Sequence, residues 1–166
     1  MTDPDSSLYP LPAPFADWPR PLAFVLSGGG AYGAVQIGML RALAARGIQP
    51  DLIVGTSIGA VHGAALSAGG IKTLDEMAGR WLEATRASVF GPAASVGWSL
   101  LRRGSLFSPN RLEALLTEQL PPSFVELQRP FAAVVTDLVT GESQLISSGR
   151  LVPAVIASCS IPGVFP

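Results

Sequence analysis

The chain reads as an α/β domain, a three-layer α/β/α arrangement around a mainly parallel sheet, and three observations predict it. Two short apolar runs, Leu22 to Leu26 and Asp51 to Val54, lack the apolar/polar alternation of a half-solvated strand, as strands buried on both faces of a parallel sheet do. Each is followed by a glycine-rich turn and then by a helical pattern. Strand, helix, strand, helix therefore fit within roughly 50 residues, the economy of a right-handed parallel crossover.

Taken in order, residues 1–21 are rich in proline, begin with acidic residues, and read as an extended, solvated leader. They lack the basic n-region and apolar h-region of a secretory signal. The domain itself is expected over 22–166. After the first strand, Ala34 to Arg46 predicts a helix with Ile37, Leu40 and Ala44 on one stripe and Gly47 placed to stop it. The second strand leads into an alanine-rich helix reaching about Ala68. Thr73 and Glu76 have capping-box spacing and start a helix through Met77, Trp81 and Leu82 to about Arg86. A Gly/Ser-rich stretch follows. Ser108-Pro109 opens another helix whose apolar face is Leu112, Leu115, Leu116 and Leu120, ended by Pro121-Pro122. Phe131 to Asp137 and Ser143 to Ile146 predict a strand pair with Thr140-Gly141-Glu142 in the turn. Pro153 to Ser158 reads as a short helix entering Ile161-Pro-Gly-Val-Phe-Pro166. No internal repeat and no boundary to a second domain is marked.

Composition narrows the function. With 166 residues and 48% hydrophobic content the chain can bury a sizeable core. Eleven basic against twelve acidic residues give a net charge of −1, so no basic field invites nucleic acid. One cysteine, Cys159, permits neither an internal disulfide nor a cysteine-rich metal site, and it reads as a small buried hydrophobe. No apolar window is long enough to cross a bilayer, because Ser27-Gly28-Gly29-Gly30, Gln36 and Arg41 break the first candidate and Gly55, Ser57, Gly59 and His62 the second. The expected setting is the cytoplasm, with transient contact at a membrane surface.

Gly55-Thr56-Ser57-Ile58-Gly59 has G-x-S-x-G spacing between a predicted strand and a predicted helix. On so sharp a turn a serine adopts a strained backbone, small neighbours two residues away let the chain fold tightly, and the helix N-terminus favours negative charge at the hydroxyl. Ser57 is therefore the candidate nucleophile. Ser27-Gly28-Gly29-Gly30-Ala31-Tyr32-Gly33 likewise follows a strand, and adjacent glycines can aim successive N–H groups at one point. As G-x-G-x-x-G the run also fits a dinucleotide fingerprint, but that needs an acidic residue at the end of the second strand, and Asp51 stands at its start. A phosphate loop of G-K-[ST] type is absent. What remains is an oxyanion hole facing Ser57, or glycines that serve close helix packing alone. The single histidine, His62, lies five residues after Ser57 on one helix, turned roughly 140° around and about 7.5 Å along the axis, which argues against a Ser-His-Asp triad.

The blocks LSGGGAYGAVQIGML, GTSIGAVHGAALSAG, SLFSPNRLEALL, VVTDLVTGE and ASCSIPGVFP, spread from Leu22 to Pro166, resemble those of the patatin-like phospholipases. The resemblance implies the patatin fold and a lipid acyl hydrolase working through an acyl-serine intermediate and a Ser-Asp dyad, which agrees with the lack of a usable histidine. It implies Ser57 as nucleophile, Gly28, Gly29, Gly30 and the amide of Ile58 as the oxyanion hole, and Gly33, Gly55 and Gly59 as motif glycines. The family's aspartate lies in an Asp-Gly-Gly or Asp-Gly-Ala motif after the Pro-x-x-Phe-Pro block. No Asp-Gly occurs in this chain, so the general base is expected beyond Pro166, in a domain incomplete at its C-terminus; within the chain the candidate is Asp137. No metal and no cofactor is implied. The alternative from another class is a silent fragment or lipid-binding scaffold that keeps the serine turn without a base. Trp98, Leu100, Leu101, Leu106 and Phe107 around Arg102-Arg103 have the composition of a flap at a lipid interface, or of an ordinary packed surface segment.

Overall fold

The apolar runs that precede the two glycine loops are strands in the structure, a computed structural model that describes residues 18–83 and 110–161. β1 (Ala23–Leu26), β2 (Leu52–Thr56) and β3 (Phe131–Thr136) lie side by side and parallel, and β4 (Ser143–Ile146) adds to β3 antiparallel. With α1 (Gly33–Ala45), α2 (Ile58–Gly69), α3 (Thr73–Glu83), α4 (Asn110–Gln119) and α5 (Leu151–Cys159), this is the α/β fold with a mainly parallel sheet that the pattern predicts. Register pairs Leu26 with Gly55 and Thr56 with Val134. The chain segments leaving β1, β2 and β3 therefore emerge at one carboxyl edge, where open α/β sheets place their sites.

α2 runs over the centre of the sheet against β2, touching β1 and β3, while α5 packs on β3, α2 and α4. Beneath them Ile53, Ala60, Ala64, Phe131, Ala133, Leu151 and Val155 form the core. Among the described residues nothing covers the opposite face of β1: Val25 is 75% exposed there, so they do not bury the first strand on both sides as its sequence suggests. Among the described residues it is an edge strand covered on one face, and a continuous apolar run does not distinguish that from full burial.

The helix boundaries follow local chemistry. α1 stops where Gly47, at φ 72°, lets its N–H reach the Ala44 carbonyl and the Ile48 N–H reach that of Leu43, the paired bonds of a Schellman cap. α3 begins at Thr73, but the Thr73 hydroxyl donates back to the Gly70 carbonyl at 2.7 Å and joins α3 to the short 3-10 turn before it. Leu115, expected on the apolar face of its helix, is 44% exposed, and Leu82 near the end of α3 is 90% exposed. In α4 the buried stripe is Leu112, Leu116 and Leu120, a plain i, i+4 series that leaves Leu115 beside it. Gly141, at φ 73°, completes the β3–β4 turn. The Gly/Ser-rich flap segment, Ser108-Pro109 and the Pro-Gly-Val-Phe-Pro end lie outside the described residues, as does most of the leader. At the leader's end Arg20 pairs with Asp51 at 2.9 Å, and the same carboxylate accepts the Leu22 N–H at 2.6 Å. That acceptance and the guanidinium hold Asp51 below the usual carboxylate range.

Candidate active site

β2 extends two residues further than its apolar run, through Gly55 and Thr56, and α2 starts at Ile58. Only Ser57 is left to reverse the chain, and it does so at φ 55°, ψ −122°. Among the described residues it alone holds a positive φ without being glycine. Such a conformation costs about 1–3 kcal/mol and persists where its surroundings impose it.

Those surroundings are identifiable. The Ser57 carbonyl accepts the N–H groups of Ala60 at 2.8 Å and Val61 at 3.2 Å, the first turn of α2. Its N–H donates to the Ser158 hydroxyl at 2.9 Å, which in turn donates to the Val134 carbonyl at 2.6 Å. Gly55 lies so close to the backbone of Gly59 and Ala60 that a side chain at 55 has no room. A methyl on Gly59 would fall within the Leu26 carbonyl and 2.7 Å from that of Ser27. These two glycines seat α2 backbone against backbone on β1 and β2.

The first glycine loop reaches the serine. A Cβ on Gly28 would stand 3.3 Å from that of Ser57 and 3.6 Å from the Thr56 carbonyl. Gly29 at φ 155° and Gly30 at φ 53° carry the chain into a 3-10 turn that opens α1. Ile58 is the first residue of α2, where N–H groups lack partners inside the helix and the dipole is positive. Gly33 sits under Ile58 Cγ1, His62 and Trp81. Ser57, Gly28 and the α2 N-terminus thus share one end of the sheet, an arrangement suited to stabilising negative charge beside a hydroxyl.

Asp137 is also at the carboxyl edge but serves its own turn. Its Oδ1 accepts the N–H groups of Val139 at 2.8 Å and Thr140 at 3.0 Å, and its carbonyl accepts that of Gly141. These backbone donors hold the carboxyl below its usual range, which suits a hairpin turn and weakens a base. Among the described residues no hydrogen bond joins it to Ser57. Cys159, half-buried at the end of α5, follows the Ser158 that holds the Ser57 N–H, and the Ser57 side chain tempers the rise of its thiol pKa. Burial pushes the thiol up to about 11, so it is a neutral group near pH 7.

His62 is 3% exposed and committed elsewhere: Nε2 accepts the Trp81 indole N–H at 3.0 Å and Nδ1 meets Gln36 Oε1 at 2.9 Å. Burial pushes it down to about 4. An unfolded histidine takes up a proton near 6.5 while this one resists it, so stability is full above that value and falls as pH drops toward 4. The loss should total about 3 kcal/mol at about 1.4 kcal/mol per unit. Denaturation midpoints between pH 8 and 4 should show this slope in the wild type and lack it in His62→Asn, whatever that variant's stability at pH 8. An equal slope in both would place the acid sensitivity elsewhere.

Ser158, Cys159 and Gln36 were not legible as site residues; a polar Gln36 inside an otherwise apolar helix was the available hint. Among the described residues no group of three or more His, Cys, Asp or Glu side chains is placed to hold a metal, and no helix is long and apolar enough to cross a membrane.

Residues 24–166 match the family described as patatin-like phospholipase. An uncharacterized NTE family protein of Mycobacterium tuberculosis is 34% identical over 143 residues, 86% of this chain and 38% of that protein. Patatin-like phospholipase domain-containing protein 7 of Rattus norvegicus is 33% identical over 147 residues, 87% of this chain and 11% of that protein. The chain therefore spans well under half the length of these relatives. Among solved structures, the type III effector protein ExoU superposes with a TM-score of 0.57 at 17% identity, covering 87% of this chain and 40% of that one, a likeness of fold.

Proposed function

Because the chain belongs to the patatin-like phospholipase family, we propose that residues 22–166 carry the nucleophile of a serine acyl hydrolase that cleaves carboxylic esters of lipids. Membership supports lipid hydrolysis at the level of the family; the assignment of residues is our own reading. The observation that carries it is the backbone of Ser57, strained at φ 55° between β2 and the N-terminus of α2 with Gly28 against it. In this mechanism Ser57 Oγ attacks the ester carbonyl carbon and passes its proton to an aspartate supplied after Pro166, completing a Ser-Asp dyad. The N–H groups of Gly28, Gly29, Gly30 and Ile58 receive the charge that develops on the carbonyl oxygen. Collapse of the tetrahedral intermediate expels the alcohol, which takes up the proton, and water attacks the acyl-serine to release the acid and restore Ser57. A lipid substrate brings the protein into transient contact with a membrane surface.

A fluorophosphonate probe tests this without a choice of substrate. In a protein carrying the chain and its dyad aspartate, the adduct should be found by peptide mass on Ser57. A folded sample with no adduct, or with one on another serine, overturns the assignment. Labelling of residues 1–166 alone would move the base inside the chain, to Asp137.

A further inference from the structure

Away from Ser57, three buried or half-buried polar side chains form a series with a fixed direction. An indole N–H can only donate, so the His62 Nε2 that receives the Trp81 N–H at 3.0 Å is the bare ring nitrogen. In a neutral ring the hydrogen then sits on Nδ1, and at 2.9 Å it is donated to Gln36 Oε1. With its oxygen so engaged, Gln36 turns Nε2 outward, and that group donates to the Ser27 carbonyl at 2.6 Å. Trp81 in α3, His62 in α2 and Gln36 in α1 are thereby joined to the residue that follows β1, each link setting the orientation of the next.

The Ser27 carbonyl is one end of the Ser27–Gly28 peptide unit. In a planar trans unit the C=O and N–H point in opposite directions, so an oxygen held toward Gln36 turns the Gly28 N–H away from it. The same oxygen lies over Gly59, 2.7 Å from where a methyl there would stand, and is constrained from that side too. Gly28 is the loop glycine on which an added Cβ would stand 3.3 Å from Ser57 Cβ and 3.6 Å from the Thr56 carbonyl oxygen.

We propose that Trp81, His62 and Gln36 are positioning residues that fix the Ser27–Gly28 peptide plane and so aim the Gly28 N–H at the oxyanion formed on attack by Ser57. The proposal rests on Ser57 being the nucleophile. Trp81→Phe keeps an aromatic ring, though a smaller one, and removes the one donor that gives the series its direction; Gln36→Met keeps the length and removes the bond to Ser27. In the active enzyme each should lower kcat roughly 10- to 100-fold with KM little changed. Each should also narrow the preference for an oxygen ester over its thionoester, because sulfur accepts hydrogen bonds weakly and gains least from an aimed N–H. Loss of packing alone would slow both substrates equally. Unchanged kcat and an unchanged ester-to-thionoester ratio in folded variants overturn the proposal.

A second measurement separates this idea from the assignment of Ser57. With glycine 15N-labelled, the Gly28 amide resonance should shift or split in Trp81→Phe relative to wild type, whether or not the serine takes a fluorophosphonate. An unmoved resonance refutes the positioning role, whereas a moved one with no adduct on Ser57 refutes the nucleophile instead.

Discussion

Ser57→Ala in the intact enzyme should lower kcat for ester hydrolysis on the order of 10⁵-fold or more, with the fold and KM close to wild type. The size of the effect follows from what stands near the hydroxyl. The Ser158 hydroxyl is spent between the Ser57 N–H and the Val134 carbonyl, and the Cys159 thiol is held protonated by a pKa of about 11. Neither can take over as nucleophile near neutral pH. Alanine retains the Cβ of serine, so the backbone strain and the bond to Ser158 remain and circular dichroism should be unaltered. Steady-state hydrolysis of a chromogenic ester measures the loss; turnover within tenfold of wild type would remove Ser57 from the mechanism.

The second large effect is structural. Gly59 and Gly38 both lie within helices, where replacing glycine by alanine ordinarily stabilises by about 0.5–1 kcal/mol. At Gly38, which has open space around a new Cβ, the gain should be realised. At Gly59 the methyl would overlap the Leu26 and Ser27 carbonyls, which are backbone and cannot swing aside. Relief requires α2 to lift from β1, carrying Ser57 away from Gly28, so Gly59→Ala should cost about 3 kcal/mol or more. Urea denaturation of the pair reads both signs. A Gly59→Ala protein as stable as Gly38→Ala would show that α2 is not seated by this contact.

The sequence was informative where chemistry is local. The Gly47 stop, the turn at Gly141 and the tight reversal at Ser57 each depend on residues within a few positions of one another, and each stands where it is expected, while the strands shift by only one or two residues at their ends. Exposure was harder to read, since Val25, Leu82 and Leu115 differ from buried neighbours only in which side of the element the core occupies. The support of the turn at Ser57 is not legible from spacing, because the Ser57–Ser158 bond spans 101 positions and no periodicity encodes it. His62 shows the same limit: its place on the helix argues against a base, but its half-buried partners Trp81 and Gln36 come from two other helices. Asp137, offered by the sequence as the candidate base within the chain, instead accepts two N–H groups of its own hairpin turn on Oδ1, a bonding pattern set by local backbone that residue type alone does not separate from a base.

The positive φ at position 57 also bears on any attempt to engineer this protein. Glycine would adopt that backbone without strain, and even after its greater freedom in the unfolded chain is counted it should be more stable there by about 1 kcal/mol. With Ser57 as the proposed nucleophile, a campaign that ranks random variants by heat resistance alone should therefore be drawn toward erasing its hydroxyl, and the most durable clones it returns should include ones that no longer hydrolyse esters.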